Sequence, residues 1–270
     1  PADPRERTRP MTTIGLASAH GSPGTTTTAI ALAAAWPEHR RCLLVEADPF
    51  GGVIAARYGL GDTPGLSSLA AGSRRGLDQE TAWLHVQHLP GGVPVLVGPA
   101  TSDEARVVLA DVFGALGAWS SADDEIDVII DCGRLTAGSP ALGLVGSGAR
   151  VLVLALPTVD QLRPAAHRIA TLRASSVDAA LVLVGDTPYG PTEVESAMRT
   201  GVVGVVAWDP RTAAILAGAR GAVRDLRRSP LVRSISALAD RLAPPASSPD
   251  PALPNTAPAS VSAQPEEVWS

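Results

Sequence analysis

The chain has 270 residues with 45% apolar content, which is enough to bury one sizeable core. Its formal net charge is −5 at pH 7, and all 22 of its basic side chains are arginine, so the chain contains no lysine. This acidic balance does not favour a nucleic-acid-binding protein. The two cysteines, Cys42 and Cys132, exclude a disulfide framework and favour buried structural thiols in a reducing, cytoplasmic setting. No apolar run approaches the roughly 20 residues that cross a bilayer, so we expect no membrane insertion.

The ends of the chain differ in composition from its middle. Residues 1–10 are polar and bracketed by proline, and residues 243–270 are rich in proline, alanine and serine without any arginine. Such segments bury too little apolar surface to offset the entropy lost on folding, so we expect disorder at both ends and one folded domain over 11–242. Trp269, which follows acidic residues near the end of the tail, is either part of a short docking motif or an unstructured residue.

Apolar strands and amphipathic helices alternate along this domain. The strands are apolar on both faces, which is typical of a parallel sheet covered by helices on both sides. In chain order, the predicted elements are strand 12–18, helix 25–36, strands 42–47 and 93–97, helix 102–119, strands 126–131 and 150–156, helix 159–174, strand 180–185, helix 190–199, strand 202–207 and helix 229–242. The pattern predicts an α/β fold with a doubly wound, mostly parallel seven-stranded sheet and helices on both faces.

The loop after the first strand has the spacing of a phosphate cradle. The pattern G-x-x-x-x-G-K-[ST] needs small residues around the loop and a lysine before the hydroxyl residue. This chain has Ala19 and Gly24 at the small positions, and Thr25 where the lysine would stand. Backbone amides at a helix N-terminus attract anions even without that lysine, although a plain turn is the alternative interpretation. The predicted phosphate-binding residues are His20, Gly21, Ser22, Pro23, Gly24, Thr25, Thr26 and Thr27.

Acidic side chains end two further strands. The segment EADPFG at 46–51 carries Glu46 and Asp48 directly after an apolar strand, and DVIID at 127–131 ends in Asp131. Ligands of parallel sheets bind at the carboxyl ends of the strands, and Mg²⁺ prefers carboxylates together with water and phosphate oxygens. Acids end many strands, so the prediction depends on the occurrence of all three motifs in order along one chain.

These motifs resemble those of the ParA/MinD family of P-loop ATPases, the SIMIBI-class group with a deviant Walker A loop. The family's K-G-G-V-G-K-T-T corresponds to HGSPGTTT at 20–27, its D-A-D-P-Q-G to EADPFG, and its D-x-x-I-I-D to DVIID. The resemblance extends over residues 12–242. It is strongest to the atypical branch of pilus-assembly and septum-site localisers, such as TadZ and CpaE, in which Walker residues are often eroded.

The resemblance implies ATP and Mg²⁺ as ligands and no structural metal. It implies that Thr26, Glu46 and Asp131 hold the Mg²⁺ and that Asp48 is the catalytic residue of an active member. It also implies a homodimer, formed through the face that carries the phosphate loop, and protein partners. Because the loop rim is uncharged at neutral pH, we expect this dimer to be weak, to form without nucleotide, and to loosen when His20 is protonated.

Three departures from the family pattern bear on activity. His20 replaces the signature lysine, which in the family reaches the partner's phosphates, Thr25 replaces the loop lysine, and Gly185 replaces an asparagine that recognises adenine. Phosphoryl transfer depends on cationic stabilisation, so the loss of both lysines predicts weak or lost hydrolysis. We therefore expect a degenerate relative that helps to position a pilus or secretion machine, a septum site or a chromosome. The alternative is an active ATPase in which arginine replaces lysine.

Two further features have competing interpretations. Residues 205–242 carry seven arginines against three acids, a local net charge of +4. Within this region, 219–233 is either a patch for DNA phosphates or an ordinary solvated helix face. His85 and His88 have the spacing of a zinc pair, but the sequence places no cysteine or third histidine beside them, which favours structural roles.

Overall fold

The computed structural model describes residues 12–73, 82–122, 126–145, 149–219 and 226–244, with the side chains of one helix described only as far as residue 112. The disorder predicted for 1–10 and for the tail, and the prediction for Trp269, therefore concern residues outside these ranges. The exception is the start of the tail, where Ala243 packs against the core at the end of the last helix.

Eight strands of the described chain form one sheet. They are β1 Thr13–Ser18, β2 Arg41–Glu46, β3 Gln87–His88, β4 Pro94–Leu96, β5 Ile126–Arg134, β6 Arg150–Ala155, β7 Asp178–Val184 and β8 Val202–Val206. Their spatial order is β3-β4-β2-β5-β1-β6-β7-β8, and only the β3–β4 pair is antiparallel. The predicted mostly parallel, doubly wound fold is confirmed, and the strand missing from the prediction is the two-residue β3, which is too short to produce a sequence pattern.

Helices connect the parallel strands and cover the sheet. They are α1 Thr25–Ala34, α2 Ile54–Tyr58, α3 Leu66–Ser73, α4 Ser102–Ala122, α5 Ala141–Leu144, α6 Val159–Ala174, α7 Pro191–Met198, α8 Pro210–Leu216 and α9 Pro230–Leu242, with a 3-10 turn at Leu226–Arg228. Local chemistry sets several of their starts. Asp209 caps α8 and Ser229 caps α9 through side-chain oxygens that accept backbone amides of the first turn, and each helix then begins with proline. No described helix combines the length and apolar character needed to cross a membrane.

The core lies in two layers, one on each face of the sheet. Alternate residues of one strand enter different layers, as the two-residue period of a strand requires. On β2, Leu43 and Val45 join the layer that contains Leu109 of α4, whereas Leu44 joins the layer that contains Leu32 of α1. Because both layers are apolar, the central strands are apolar on both sides, which is the sequence feature that predicted the parallel sheet.

A buried ion pair ties the start of the sheet to the end of α1. Asp127 of β5 accepts two hydrogen bonds from Arg40, at 2.5 Å from Nε and 2.6 Å from Nη2. It also accepts Trp36 Nε1 at 2.8 Å and the backbone amide of Thr12 at 2.9 Å. We call these four residues the Asp127 clamp. It lies at the amino ends of the strands, the opposite end of the sheet from the phosphate loop.

Two strands adjoin β1 from opposite sides, and this arrangement positions the site. β5 and β6 both pair with β1, so the chain leaves β1 toward one side of the sheet and returns later on the other. Such a reversal opens a crevice at the carboxyl end of the strand, where ligands of doubly wound folds bind. The loop 19–24 follows β1 at this point.

Candidate functional site

A cavity of about 550 Å³ opens at the carboxyl end of β1. Its wall combines the phosphate loop with the segments that follow β2 and β5. The lining residues are Ser18, Gly21, Ser22, Gly24, Thr25, Thr26, Thr27, Asp48, Phe50, Val53, Arg57, Gly133 and Arg134. The structure thus brings the phosphate loop, part of the EADPFG segment and the two residues that follow the DVIID segment after Cys132 to one place, although more than a hundred residues separate the first from the last in the chain.

The phosphate loop delivers the start of α1 to this cavity. Gly24 precedes the helix with φ of 93°, a left-handed conformation that favours glycine. No side chain of the described residues caps the first turn of α1. The backbone amides at a helix start lack partners within the helix and carry a partial positive charge, so this end of α1 suits an anion.

The predicted loop residues divide into two groups. Gly21, Ser22, Gly24, Thr25, Thr26 and Thr27 line the cavity, whereas His20 and Pro23 are not among its lining residues. His20 is exposed, and Pro23 is buried beneath the loop. Thr25 occupies the lysine position, and its hydroxyl oxygen is buried without a hydrogen-bond partner. A buried unpaired hydroxyl is costly unless a ligand or water completes its bonding.

Asp48 is the carboxylate that lines the cavity. Its Oδ1 accepts the backbone amide of Phe50 at 2.9 Å. Burial raises the pKa of Asp48, while the amide of Phe50 and the charge of Arg134 act in the opposite direction. Gly133 packs directly against this carboxylate, because a Cβ atom at position 133 would lie 2.0 Å from Asp48 Cγ. Gly133 also has φ of 55°, which lies in the left-handed region. Both this backbone conformation and the closeness of the Asp48 carboxylate therefore favour glycine at position 133.

Asp131 lies beneath the cavity and is fully buried. Its Oδ1 accepts the amide of Gly133 at 3.1 Å, and its Oδ2 has no hydrogen-bond partner. The pKa of Asp131 is raised from an ordinary value of 3.8 to about 7, mainly by burial and also by the nearby charges of Glu46 and Asp48. The hydroxyl of Thr26 and the amide of Gly133 act in the opposite direction.

Glu46 lies directly across from Asp131 on the neighbouring strand, but its carboxylate faces a different set of partners. Oε1 accepts the amides of Val53 at 2.6 Å and Ile54 at 2.8 Å, and Oε2 accepts the amide of Gly98 at 2.9 Å. Burial nevertheless raises its pKa. Glu46 therefore anchors the segment before α2, and it is not among the residues that line the cavity.

Of the three residues predicted for Mg²⁺, Thr26 lines the cavity, whereas Glu46 and Asp131 do not. The Thr26 hydroxyl is near enough to the buried Asp131 carboxyl to lower its pKa, and Asp131 Oδ2 has no hydrogen-bond partner. Within the described ranges, no three His, Cys, Asp or Glu side chains are arranged to hold a metal ion without other ligands. A Mg²⁺ ion here would consequently take its remaining ligands from water and phosphate, as Mg²⁺ commonly does.

Two arginines line the cavity that sequence patterns did not identify. Arg134 is the last residue of β5 and pairs with Ser18 of β1 in the sheet register, so it ends at the same edge as the phosphate loop. This placement could have been inferred, because Arg134 follows Asp131 by three residues. Arg57 lies on the short helix α2, for which no element was predicted, and nothing in the sequence pattern marked it.

The remaining predicted features lie away from the cavity. Gly185 follows β7, and a Cβ there would be 3.6 Å from Cβ of the exposed Trp208. His85 Nδ1 lies 2.8 Å from Ser68 Oγ, and burial lowers its pKa, whereas His88 is exposed on β3. Burial raises the pKa of both cysteine thiols, which disfavours reactivity, although the surface of Cys42 is partly exposed. The basic segment 219–233 is described at 219 and from 226 onward.

The arrangement of sheet, loop and cavity is that of a P-loop type of α/β fold. No protein-family model matches the chain, and no curated protein matches it. Solved structures do share its fold. The septum site-determining protein MinD from Pyrococcus horikoshii, complexed with Mg-ADP, is 18% identical with a TM-score of 0.69, and the match covers 85% of this chain and 95% of that one.

Two other structures agree with this result. A ParA family ATPase from Chlorobium tepidum is 16% identical with a TM-score of 0.69, and the match covers 85% of this chain and 98% of that one. A chain of the MinC:MinD cell division protein complex from Aquifex aeolicus is 16% identical with a TM-score of 0.65, covering 86% and 95%. The chain therefore has the fold of the MinD and ParA ATPases, which confirms the resemblance of its motifs at the level of fold.

Proposed function

We propose that this chain is a cytoplasmic positioning factor of the MinD/ParA type, which recruits protein partners and hydrolyses ATP weakly or not at all. The observation that carries the proposal is Thr25. At the position where the family has its loop lysine, the chain presents a buried neutral hydroxyl to the cavity. His20, at the signature position, is exposed and outside the cavity lining.

Electrostatics support weak turnover. Catalysis of phosphoryl transfer is mostly stabilisation of negative charge on the transferring group, and each preorganised cation contributes several kcal/mol of that stabilisation. Here the carboxylate of Asp48 lines the cavity and that of Asp131 lies beneath it, while neither lysine is present. Without Mg²⁺, the added negative charge of a triphosphate would meet these carboxylates at short range.

The rim of the cavity supports a role in protein contacts. Phe50 is 56% exposed and Val53 is 39% exposed, both beside the phosphate loop. Exposed apolar side chains at one rim favour association with another protein surface. We propose that this face forms the weak homodimer and that protein partners bind the dimer. The cargo would be a pilus or secretion machine, a septum site or a chromosome. One chain with this fold comes from the MinC:MinD cell division protein complex, which is consistent with partner binding.

Titration with ATP and Mg²⁺, followed by a phosphate-release assay, tests the proposal. We expect turnover indistinguishable from that of Asp48→Asn, with Asp62→Asn as the control because Asp62 is exposed and outside the cavity lining. Sedimentation with and without ATP tests the dimer. A dimer that forms without ATP is expected, and a dimer seen only with ATP would contradict this part of the proposal.

The second candidate is an ATP-binding ATPase in which arginine replaces lysine. The observation that favours it is the presence of Arg57 and Arg134 in the cavity lining. Such a protein could also contact DNA through its basic segment 219–233. Micromolar ATP binding, together with turnover that Asp48→Ala abolishes, would establish this second function and overturn the first.

A further inference from the structure

The cavity carries an anion-binding end of a helix but lacks the lysines that accompany it in the family pattern. The start of α1, the hydroxyl of Thr25 and the loop backbone all offer hydrogen-bond donors to a ligand. Opposite them, Asp48 contributes a negative charge. A ligand with several phosphate charges would be held here only if positive side chains faced it, and the chain has arginine alone to supply them.

Arg57 is one of the two arginines that line this cavity. It lines the wall, and its Nη1 is buried without a hydrogen-bond partner among the described residues. An unpaired guanidinium N–H in a buried position costs free energy that a bound acceptor would recover. The next residue, Tyr58, holds α2 in place by donating from its hydroxyl to the carbonyl of Leu216 at 2.6 Å. The backbone that carries Arg57 is therefore held to the last residue of α8.

Arg134 extends across the mouth of the same cavity. Its guanidinium carbon lies 5.9 Å from the centroid of the Phe50 ring, and its Nη2 donates to the carbonyl of Gly21 at 3.5 Å. Both distances are at the upper limit for a cation–π contact and for a hydrogen bond, and the side chain is exposed. Arg134 can therefore leave these contacts for a stronger acceptor. A planar guanidinium can donate two parallel hydrogen bonds to a phosphate, which makes Arg134 well suited to an outer phosphate group.

Thr25 supplies an independent sign of a ligand. The residue is 7% exposed, its hydroxyl oxygen has no partner, and it lies at the first position of α1 inside the cavity lining. We propose that Arg57 and Arg134 take the place of the two missing lysines and that the cavity binds the phosphate chain of a nucleoside polyphosphate between them and the start of α1. This inference deepens the proposed function by naming a ligand class and its cationic residues, and it requires binding without hydrolysis.

Binding measured by calorimetry at fixed pH, with ATP, inorganic tripolyphosphate and adenosine as separate probes, tests the inference. The variants are Arg57→Gln and Arg134→Gln, each compared with Arg106→Gln, which removes an exposed arginine of α4 outside the cavity. ATP and tripolyphosphate should bind and adenosine should not. Each cavity variant should weaken binding about tenfold or more, the effect of losing one charge-assisted hydrogen bond, and the control should leave it unchanged.

A fold check and a rescue keep the result interpretable. Circular dichroism of each variant establishes that the sheet is intact, and Arg57→Lys should recover part of the ATP affinity lost in Arg57→Gln because it restores a cation without the planar geometry. No binding of ATP or tripolyphosphate, or binding that both glutamine variants leave unchanged, would overturn the inference. Neither outcome would affect the proposed partner-recruiting function, which fails instead if Asp48-dependent turnover is found.

Discussion

The Asp127 clamp allows a quantitative test of what joins the first helix to the sheet. The substitution Asp127→Asn keeps the shape of the side chain and one acceptor oxygen. It leaves the Arg40 guanidinium, whose side chain is 3% exposed, without a counter-charge. Removing one partner of a buried ion pair costs about 3–5 kcal/mol because the remaining charge stays desolvated. Since domains have stabilities of about 5–15 kcal/mol, this one change would remove a large share of the total.

Urea unfolding followed by far-UV circular dichroism measures this loss. At a slope of about 3 kcal/mol per molar urea, a loss of 3–5 kcal/mol moves the midpoint down by about 1–1.7 M. Asp178→Asn is the matched control, because it breaks the exposed Arg150–Asp178 pair, whose side chains are 42% and 64% exposed. That pair should contribute less than about 1 kcal/mol.

A double variant separates charge from packing. Arg40→Met with Asp127→Asn removes both charges while retaining an oxygen that can accept from Trp36 Nε1. Its destabilisation should be smaller than the sum of the two single changes by about 2 kcal/mol or more, because neither partner is then left as an unpaired buried charge. A loss below 1 kcal/mol for Asp127→Asn, or strict additivity in the double variant, would refute the reasoning.

Three further predictions concern the residues beneath and beside the cavity. Gly133→Ala should displace the Asp48 carboxylate, with which its new Cβ would overlap, and lower the unfolding free energy by about 1–3 kcal/mol in urea titrations. Asp131 has a folded pKa of about 7 against 3.8, so the unfolded chain loses this proton first and stability falls as pH rises from about 4 to 7. Asp131→Asn should remove up to about 4 kcal/mol of this pH-dependent loss of stability. Melting curves of the variant and of the parent protein across this pH range measure the difference. Glu46→Gln should lower the unfolding free energy by about 1–3 kcal/mol in urea titrations, because an amide nitrogen in place of Oε2 cannot accept the Gly98 N–H.

The sequence alone determined the fold class and the location of the site. Strands such as β2 and β5 are apolar on both faces, and that pattern has one common physical solution, a parallel sheet covered by helices on both sides. The place of the phosphate loop followed from local chemistry as well. Gly24 permits the left-handed turn before α1, and a loop after the first strand of such a sheet lies at its carboxyl edge.

Only the tertiary structure decided what each polar side chain of the site faces. Glu46 and Asp131 look equivalent in the sequence, since each ends an apolar strand. The fold brings three backbone amides onto Glu46 and leaves Oδ2 of Asp131 without a partner. These contacts join residues separated by as many as 52 positions, so no local pattern encodes them.

The two arginines of the cavity are the clearest case of site residues that no local sequence pattern identifies. The chain contains no lysine, and a loop motif of fixed spacing includes only charges that the loop itself carries. Arg57 reaches the cavity from a five-residue helix, and Arg134 reaches it from the end of a neighbouring strand. Charge acts through space and not along the chain, so the balance of charge around a bound phosphate depends on how β1, β5 and α2 pack together.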